Sequence, residues 1–312
     1  MKKVDIIGIG EVVVDWVSRI PRFPKPDEKI DALSEDYFSG GVTANYLVAV
    51  SRLGTKSGFI GAVGEDYYGK FLIEDFKKER VDTSFTLEKS EFKTPVNFIF
   101  ICNGEKTIIQ SPHMQITKIS VSDLPESYIV NSKLLHTTII HQKITERAIS
   151  IANEHDVKIS IDLESQIAQR GWKNLKHLLL NADVLIPNKE GAKTITGCKT
   201  PEDCANELIN RGIPIVIITL GCDGALLTTP KVQKIIPSFN IKNVVDTTGA
   251  GDTFNGAFSV AYWINNWDLE KSIKYANAAA SLKIQKLGAR TGMPYKNELK
   301  SYILESSTNF IF

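Results

Sequence analysis

Residues 246–252 read Asp-Thr-Thr-Gly-Ala-Gly-Asp. A glycine turn that leads into a helix offers successive backbone N–H groups, and the helix dipole adds roughly half a positive charge at that end. Gly249, Ala250 and Gly251 therefore form a cradle for an anion such as phosphate, and a side chain at 249 or 251 would stand where the anion must go. Asp252 sits at the same terminus. As a plain N-terminal helix acid it would contribute roughly a few tenths of a kcal/mol. Beside an anion site a carboxylate is an unfavourable neighbour unless it has chemical work, and taking a proton from an attacking hydroxyl is such work.

A second close-approach turn lies at Gly40-Gly41, followed by helix residues Thr43, Ala44 and Asn45. Gly8-Ile9-Gly10 lacks the third glycine of a dinucleotide fingerprint, because Val13 stands there and EVVVDWV reads as strand rather than helix. Of the five histidines, His113 and His141 stay on the list of candidates because each follows an expected strand. The four cysteines, Cys102, Cys198, Cys204 and Cys222, show no CxxC spacing and no zinc-type pairing with histidine, so they read as reduced, packed thiols.

These residues need elements to hold them. From Val157 onward the apolar period alternates between two and about 3.6, the pattern of repeated βα units feeding a mostly parallel sheet. The expected elements are a strand at 157–162, a helix at 173–182, a strand at 183–188, a helix opened by Thr200-Pro201, and a β-branched strand at 214–221 that should be central. Two short strands follow near 225–238. The segment from Asn243 then runs as strand, glycine turn and helix, with Phe254, Phe258 and Ala261 on one stripe, before a further helix near 269–288. Earlier in the chain, 43–53 reads as a helix and 56–64 as a strand. The run 97–111 reads as a hairpin about Asn103-Gly104. The fold class is thus α/β, a three-layer mostly parallel sheet flanked by helices with a small β-sheet lid. The large domain is expected at about 1–11, 39–91 and 113–312, and the lid at about 12–38 and 92–112. Open parallel sheets bind ligands beyond the carboxyl ends of their strands, where Asp162, Asn188, Thr219 to Gly221 and Asp246 to Asp252 fall.

The chain has 312 residues, 43% hydrophobic and 23% charged, which is ordinary globular composition. Thirty-seven basic against thirty-six acidic residues leave a net charge of +1, so no global field draws nucleic acid or an anionic membrane. No run of about 18 uncharged apolar residues occurs. The start is broken by Asp5, Glu11 and Asp15 and is followed by no small-residue cleavage site. The expectation is a soluble, cytoplasmic protein.

Together these residues resemble the ribokinase-like (PfkB) family of ATP-dependent carbohydrate kinases. Residues 40–54 with 59–72 are similar to its N-terminal signature and 246–258 to its C-terminal one. Asp15, residues 187–197, 219–225 and the late 280–294 region add landmarks. The resemblance implies Asp252 as catalytic base and the Gly249, Ala250 and Gly251 amides as the phosphoryl cradle. It implies Asp15, Gly41 and Asn45, with Gly40 beside them, on substrate hydroxyls; His113 and His141, kept for their places after expected strands, are counted as further substrate candidates. Thr219, Gly221 and Gly224 would contact the nucleotide, Asn188 the phosphate and Mg²⁺ region, and Asn277 with Gly288 the adenine side. Asp246 and Thr248 resemble ligands of the family's monovalent cation, usually K⁺. The implied cofactors are ATP and Mg²⁺ with K⁺, and the implied assembly is a homodimer through the lid.

Three departures stand out. The family's NxxE element would place Glu at 191, where Gly191 stands beside Glu190, the substitute considered for organising Mg²⁺. The DxNxR stretch reads Asp162-Leu163-Glu164-Ser165-Gln166. Val13 and Val42 replace the Asn and Lys of ribokinases proper, which turns the expectation away from ribose. The reaction expected is γ-phosphoryl transfer from ATP to a hydroxyl of a small sugar or polyol. A nucleoside kinase of the same family, or a catalytically weak nucleotide- or sugar-binding sensor, are the alternatives.

Overall fold

The computed structural model describes residues 4–103 and 105–306; the readings that fall on 1–3, Gly104 and 307–312 lie outside them. Thirteen strands occur among the described residues: β1 (Ile6–Ile9), β2 (Val13–Arg19), β3 (Ser34–Gly40), β4 (Ser57–Gly64), β5 (Asp82–Lys89), β6 (Val96–Cys102), β7 (Glu105–Gln110), β8 (Leu134–Thr137), β9 (Lys158–Leu163), β10 (Val184–Pro187), β11 (Val216–Thr219), β12 (Ala225–Thr228) and β13 (Gln233–Ile236). Nine form one sheet in the order β13-β12-β11-β10-β9-β8-β1-β4-β5, parallel from β11 to β5 and antiparallel at the β11–β12 and β12–β13 pairs. β2, β3, β6 and β7 form a second sheet in the order β3-β2-β6-β7.

Strands such as β1 and β10 are apolar and buried along their whole length because helices cover both faces of the large sheet. One core layer joins the sheet to the helices Gln142–Glu154, Trp172–Leu179 and Pro201–Asn210. The other joins it to Val42–Arg52, Tyr67–Lys78, Ala250–Ser259 and Leu269–Lys283. Gly256 sets the closest approach in that second layer: a Cβ there would lie 2.8 Å from Ala49 Cβ and 3.0 Å from the Tyr46 carbonyl. The missing side chain lets Ala250–Ser259 press onto Val42–Arg52.

Two expectations need correction. The strand at 216–219 is interior yet third from an edge, because the β12–β13 hairpin adds only two strands beyond it. Val244 and Val245 are not in a strand. They are about half exposed, and the Val245 and Asp246 amides turn inward to the Ile284 carbonyl. Strands β5 and β8 and the helices Tyr67–Lys78, Gln142–Glu154 and Lys296–Ser306 were not anticipated. No helix among the described residues is long and apolar enough to cross a membrane.

Candidate active site

The carboxyl ends of β1, β8, β9, β10 and β11 open on one edge, and Glu11, Thr138, Glu164, Asn188 and Thr219 sit there. Across that edge comes the start of helix Ala250–Ser259. Gly249 caps it at φ 80°, in the left-handed region, and a Cβ there would also meet the Ala289 carbonyl at 2.5 Å. A Cβ at Gly251 would meet nothing within 4 Å, so the turn faces open space.

The Asn45 amide nitrogen donates to Asp252 Oδ2 at 2.8 Å. Its oxygen in turn accepts from Arg290 Nε at 2.8 Å, and Arg290 continues to Asp75 and to the Gly40 carbonyl. Asn45 is thus fixed on both sides and holds the carboxylate in one orientation. Burial lifts the Asp252 carboxyl to about 8; the Asn45 bond and Arg290 oppose the lift, while Glu164 and Glu11 add to it.

Those acids form a crowded floor. Glu11 accepts from the Val42 amide at 3.1 Å and from Thr138 Oγ1 at 3.2 Å, and burial raises its pKa. Asp162 accepts from Asn255 Nδ2 at 2.8 Å and is pushed well up by burial and by Glu164, Asp252 and Glu11. Burial and Glu11 bring Glu164 to about 7. Ile139, next to Thr138, is fully buried at φ 61°, a strained setting for a β-branched residue and typical of a functional edge.

On the far side of the turn, Asp246 behaves oppositely. Burial would raise its pKa, but the Thr248 amide at 2.9 Å, the Gly288 amide at 2.8 Å and nearby Lys283 outweigh burial and hold it below the usual range.

Two cavities meet at this turn, since Thr247 lines both. One, of about 510 Å³, is lined by Thr219, Gly221, Gly224, Ala250, Gly251 and Asn277 among others. The second, of about 540 Å³, lies between the inner face of the small sheet and residues 244–248 and 287–289, and includes Asp15, Phe38, Ile99 and Lys106. Asp15 accepts from Asn97 Nδ2 at 2.8 Å, and a Cβ on Gly40 would run into its carboxylate. Lys106 Nζ donates to Thr248 Oγ1 at 3.1 Å, tying the hairpin to the turn.

The remaining candidates are placed variously. Gly41 caps helix Val42–Arg52, and Asn188 caps Lys189–Thr196 by accepting from the Gly191 amide at 2.6 Å. Gly191 leaves no room for a side chain, because its Cβ would lie 2.3 Å from the Leu163 carbonyl. The Glu190 carboxylate points to solvent and pairs with Lys193 at 3.3 Å, away from the acid floor. Asn277 lines the first cavity, yet its Nδ2 is taken by the Ile236 and Pro237 carbonyls. Gly288 lines the second cavity with Asp246 rather than joining Asn277. His113 and His141 line neither cavity. His141 is lowered to about 4 by burial, Lys118 and Arg170. Sequence reasoning missed Glu11, Asn97, Lys106, Thr138, Lys283 and Arg290. Lys283 alone carried a signal, a single charge in the apolar helix run 276–284.

Residues 3–296 match the pfkB family carbohydrate kinase domain. The chain belongs to that family. A ribokinase of Lactococcus lactis is 32% identical over 319 residues, covering 99% of both chains. A ribokinase of Haemophilus influenzae is 28% identical over 304 residues, covering 95% of this chain and 97% of its own. The structure of Arabidopsis thaliana ribokinase complexed with ribose and ATP superposes with a TM-score of 0.87 at 24% identity, covering 97% of this chain and 99% of that one. The protein is accordingly a carbohydrate kinase of the pfkB family, with the mixed α/β fold and separate small sheet of its relatives.

Proposed function

We propose that this pfkB kinase transfers the ATP γ-phosphoryl group to a hydroxyl, and a primary one, of a small sugar or polyol. The nucleotide takes the cavity at Thr219, Gly221 and Gly224, and the acceptor takes the cavity under the small sheet. The observation that carries this reading is the junction of the two cavities at Thr247–Gly251, one residue before an Asp252 that Asn45 holds in place.

Asp252 takes the proton as the acceptor oxygen attacks in line, and the Gly249–Gly251 amides stabilise charge on the equatorial phosphoryl oxygens. The acceptor's other hydroxyls meet Asp15 and Asn97. Among the described residues no three His, Cys, Asp or Glu side chains are arranged to hold a metal by themselves, which suits a Mg²⁺ that arrives on the nucleotide phosphates. Asp162 and Glu164 offer the hard oxygen donors such an ion takes, and Glu190 does not. When bound, Mg²⁺ neutralises the β and γ phosphates.

The small sheet acts as a lid, latched through Lys106 and Thr248, and excludes water from the transfer. Its other face carries the cross-strand row Tyr37, Trp16, Phe98 and Ile109, with Trp16 and Phe98 edge to face at 5.9 Å. Phe98 and Ile109 are solvent-exposed, and this apolar face suits pairing with a second copy of the chain.

A second acceptor class, nucleosides, is favoured by one feature: Phe38, Ile99 and Ile101 give the acceptor cavity an apolar wall on which a base could stack. An ADP-release assay with ketoses, aldoses, polyols and nucleosides decides. Turnover with sugars or polyols supports the primary reading, and turnover confined to nucleosides replaces it.

A further inference from the structure

The family's monovalent cation would sit at the Asp246–Thr248 loop, and the residues here do not suit it. The Asp246 carboxylate is fixed by two backbone amides, from Thr248 at 2.9 Å and from Gly288 at 2.8 Å, and each of its oxygens keeps a further lone pair. The loop also has a resident charge. Lys283, the last residue of helix Leu269–Lys283, is 0% exposed. Its ammonium donates to the Asp246 carbonyl at 2.7 Å and lies 4.0 Å from Asp246 Oδ2.

A lysine is rarely buried this completely without a partner that needs its charge. Here the partner is Asp246 itself, through its carbonyl and its carboxylate. Lys283 approaches a carbonyl oxygen and a carboxylate from inside the protein, the same two kinds of donor that an alkali cation would use. The Lys283 carbonyl is itself backed by Gly292, where a Cβ would come within 2.1 Å, so the end of this helix and the 288–292 segment are packed as one unit. A K⁺ placed against the same oxygens would face the Lys283 ammonium at contact range.

We infer that the Lys283 side chain is a built-in replacement for the monovalent cation, so that the loop leading into the phosphoryl cradle is held by a covalently attached charge and the kinase works without K⁺. The inference rests on the proposed role of the 249–251 turn only for its link to turnover. The occupancy of the loop by an ammonium stands apart from it.

The test compares KCl, NaCl, NH₄Cl and tetramethylammonium chloride at equal ionic strength, for the wild-type chain and for Lys283→Met. Wild-type turnover should agree within about twofold among the salts, and its melting temperature should not distinguish K⁺ from tetramethylammonium. In Lys283→Met the cavity left beside Asp246 should admit a small cation. Its melting temperature should then rise selectively in K⁺, and turnover lost in tetramethylammonium should partly return with K⁺ or NH₄⁺. A purely structural lysine would give no such ion-selective rescue. Activation of the wild-type enzyme tenfold or more by K⁺ would overturn the inference, as would a folded Lys283→Met as indifferent to K⁺ as the parent. If that variant does not fold, the wild-type comparison decides alone. Absence of kinase activity in every salt would defeat the functional reading and leave the melting data to judge Lys283.

Discussion

Asp246 and Asp252 flank the same glycine turn, six residues apart, and their surroundings drive them in opposite directions. Asp246 receives two backbone amides and lies against a buried ammonium, so it stays ionised despite burial. At Asp252 burial, with Glu164 and Glu11 adding to it, outweighs the one side-chain amide it receives, so it keeps its proton up to about pH 8. Residue type does not distinguish an acid that shapes a loop from one that can move a proton; the balance of burial against donors and neighbouring charges does.

The sharpest break of this comparison is Asp252→Asn. Turnover should fall on the order of 10²–10⁴-fold, a general-base magnitude, while nucleotide affinity changes little. The same variant should be the more stable protein. Folding favours the protonated acid, so the native state loses stability as pH climbs from the unfolded carboxyl's range near ~4 up through about 8. Asparagine has no such loss and still accepts from Asn45. Its melting temperature should exceed the parent's by roughly 2–4 °C at alkaline pH and converge with it in acid. Near-normal turnover, or a stability gap that does not grow with pH, would remove Asp252 from its role.

Asp246→Asn should act the other way on stability. An amide offers one acceptor oxygen where the carboxylate offers two, so either the Thr248 or the Gly288 N–H loses its partner and Lys283 loses its counter-charge. The expected loss is about 1.5–3 kcal/mol in urea unfolding, with turnover down by up to ~10² because the cradle shifts. A variant as stable as the parent would mean that the two aspartates are not the opposites described.

The turn itself was legible because its chemistry is local: seven consecutive residues supply glycines, helix start and acid together. The βα order and the split small sheet were legible from apolar period and from the hairpin at Asn103, which has a positive φ of 50°. What sets the two acids apart was not. Asn45 reads Arg290 across 245 residues, and Glu11 reaches Thr138 across 127, pairings that no spacing announces. Gly191 looked like a lost acid, and the structure instead has the Leu163 carbonyl filling the space of any side chain there. Val244 and Val245 carry strand-forming residue types, but the Val245 amide is taken by the carbonyl of Ile284, the residue that ends helix Leu269–Lys283.

The smallest expected effect is also the most selective. If Glu164 helps to hold the proton on Asp252, removing its charge by Glu164→Gln must lower the Asp252 pKa, because the like-charge contribution disappears while burial and the Asn45 bond remain. A general base works only when deprotonated, so kcat/KM of the parent should rise with pH through about 8. In Glu164→Gln, with each profile scaled to its own alkaline plateau, that limb should move toward acid. Asp246 lies low and already ionised, so Asp246→Asn should leave the position of the limb alone even while it lowers the plateau. A limb that stays in place in Glu164→Gln would show that the acid floor does not set the charge on Asp252, and burial alone would then account for the contrast between the two ends of the turn.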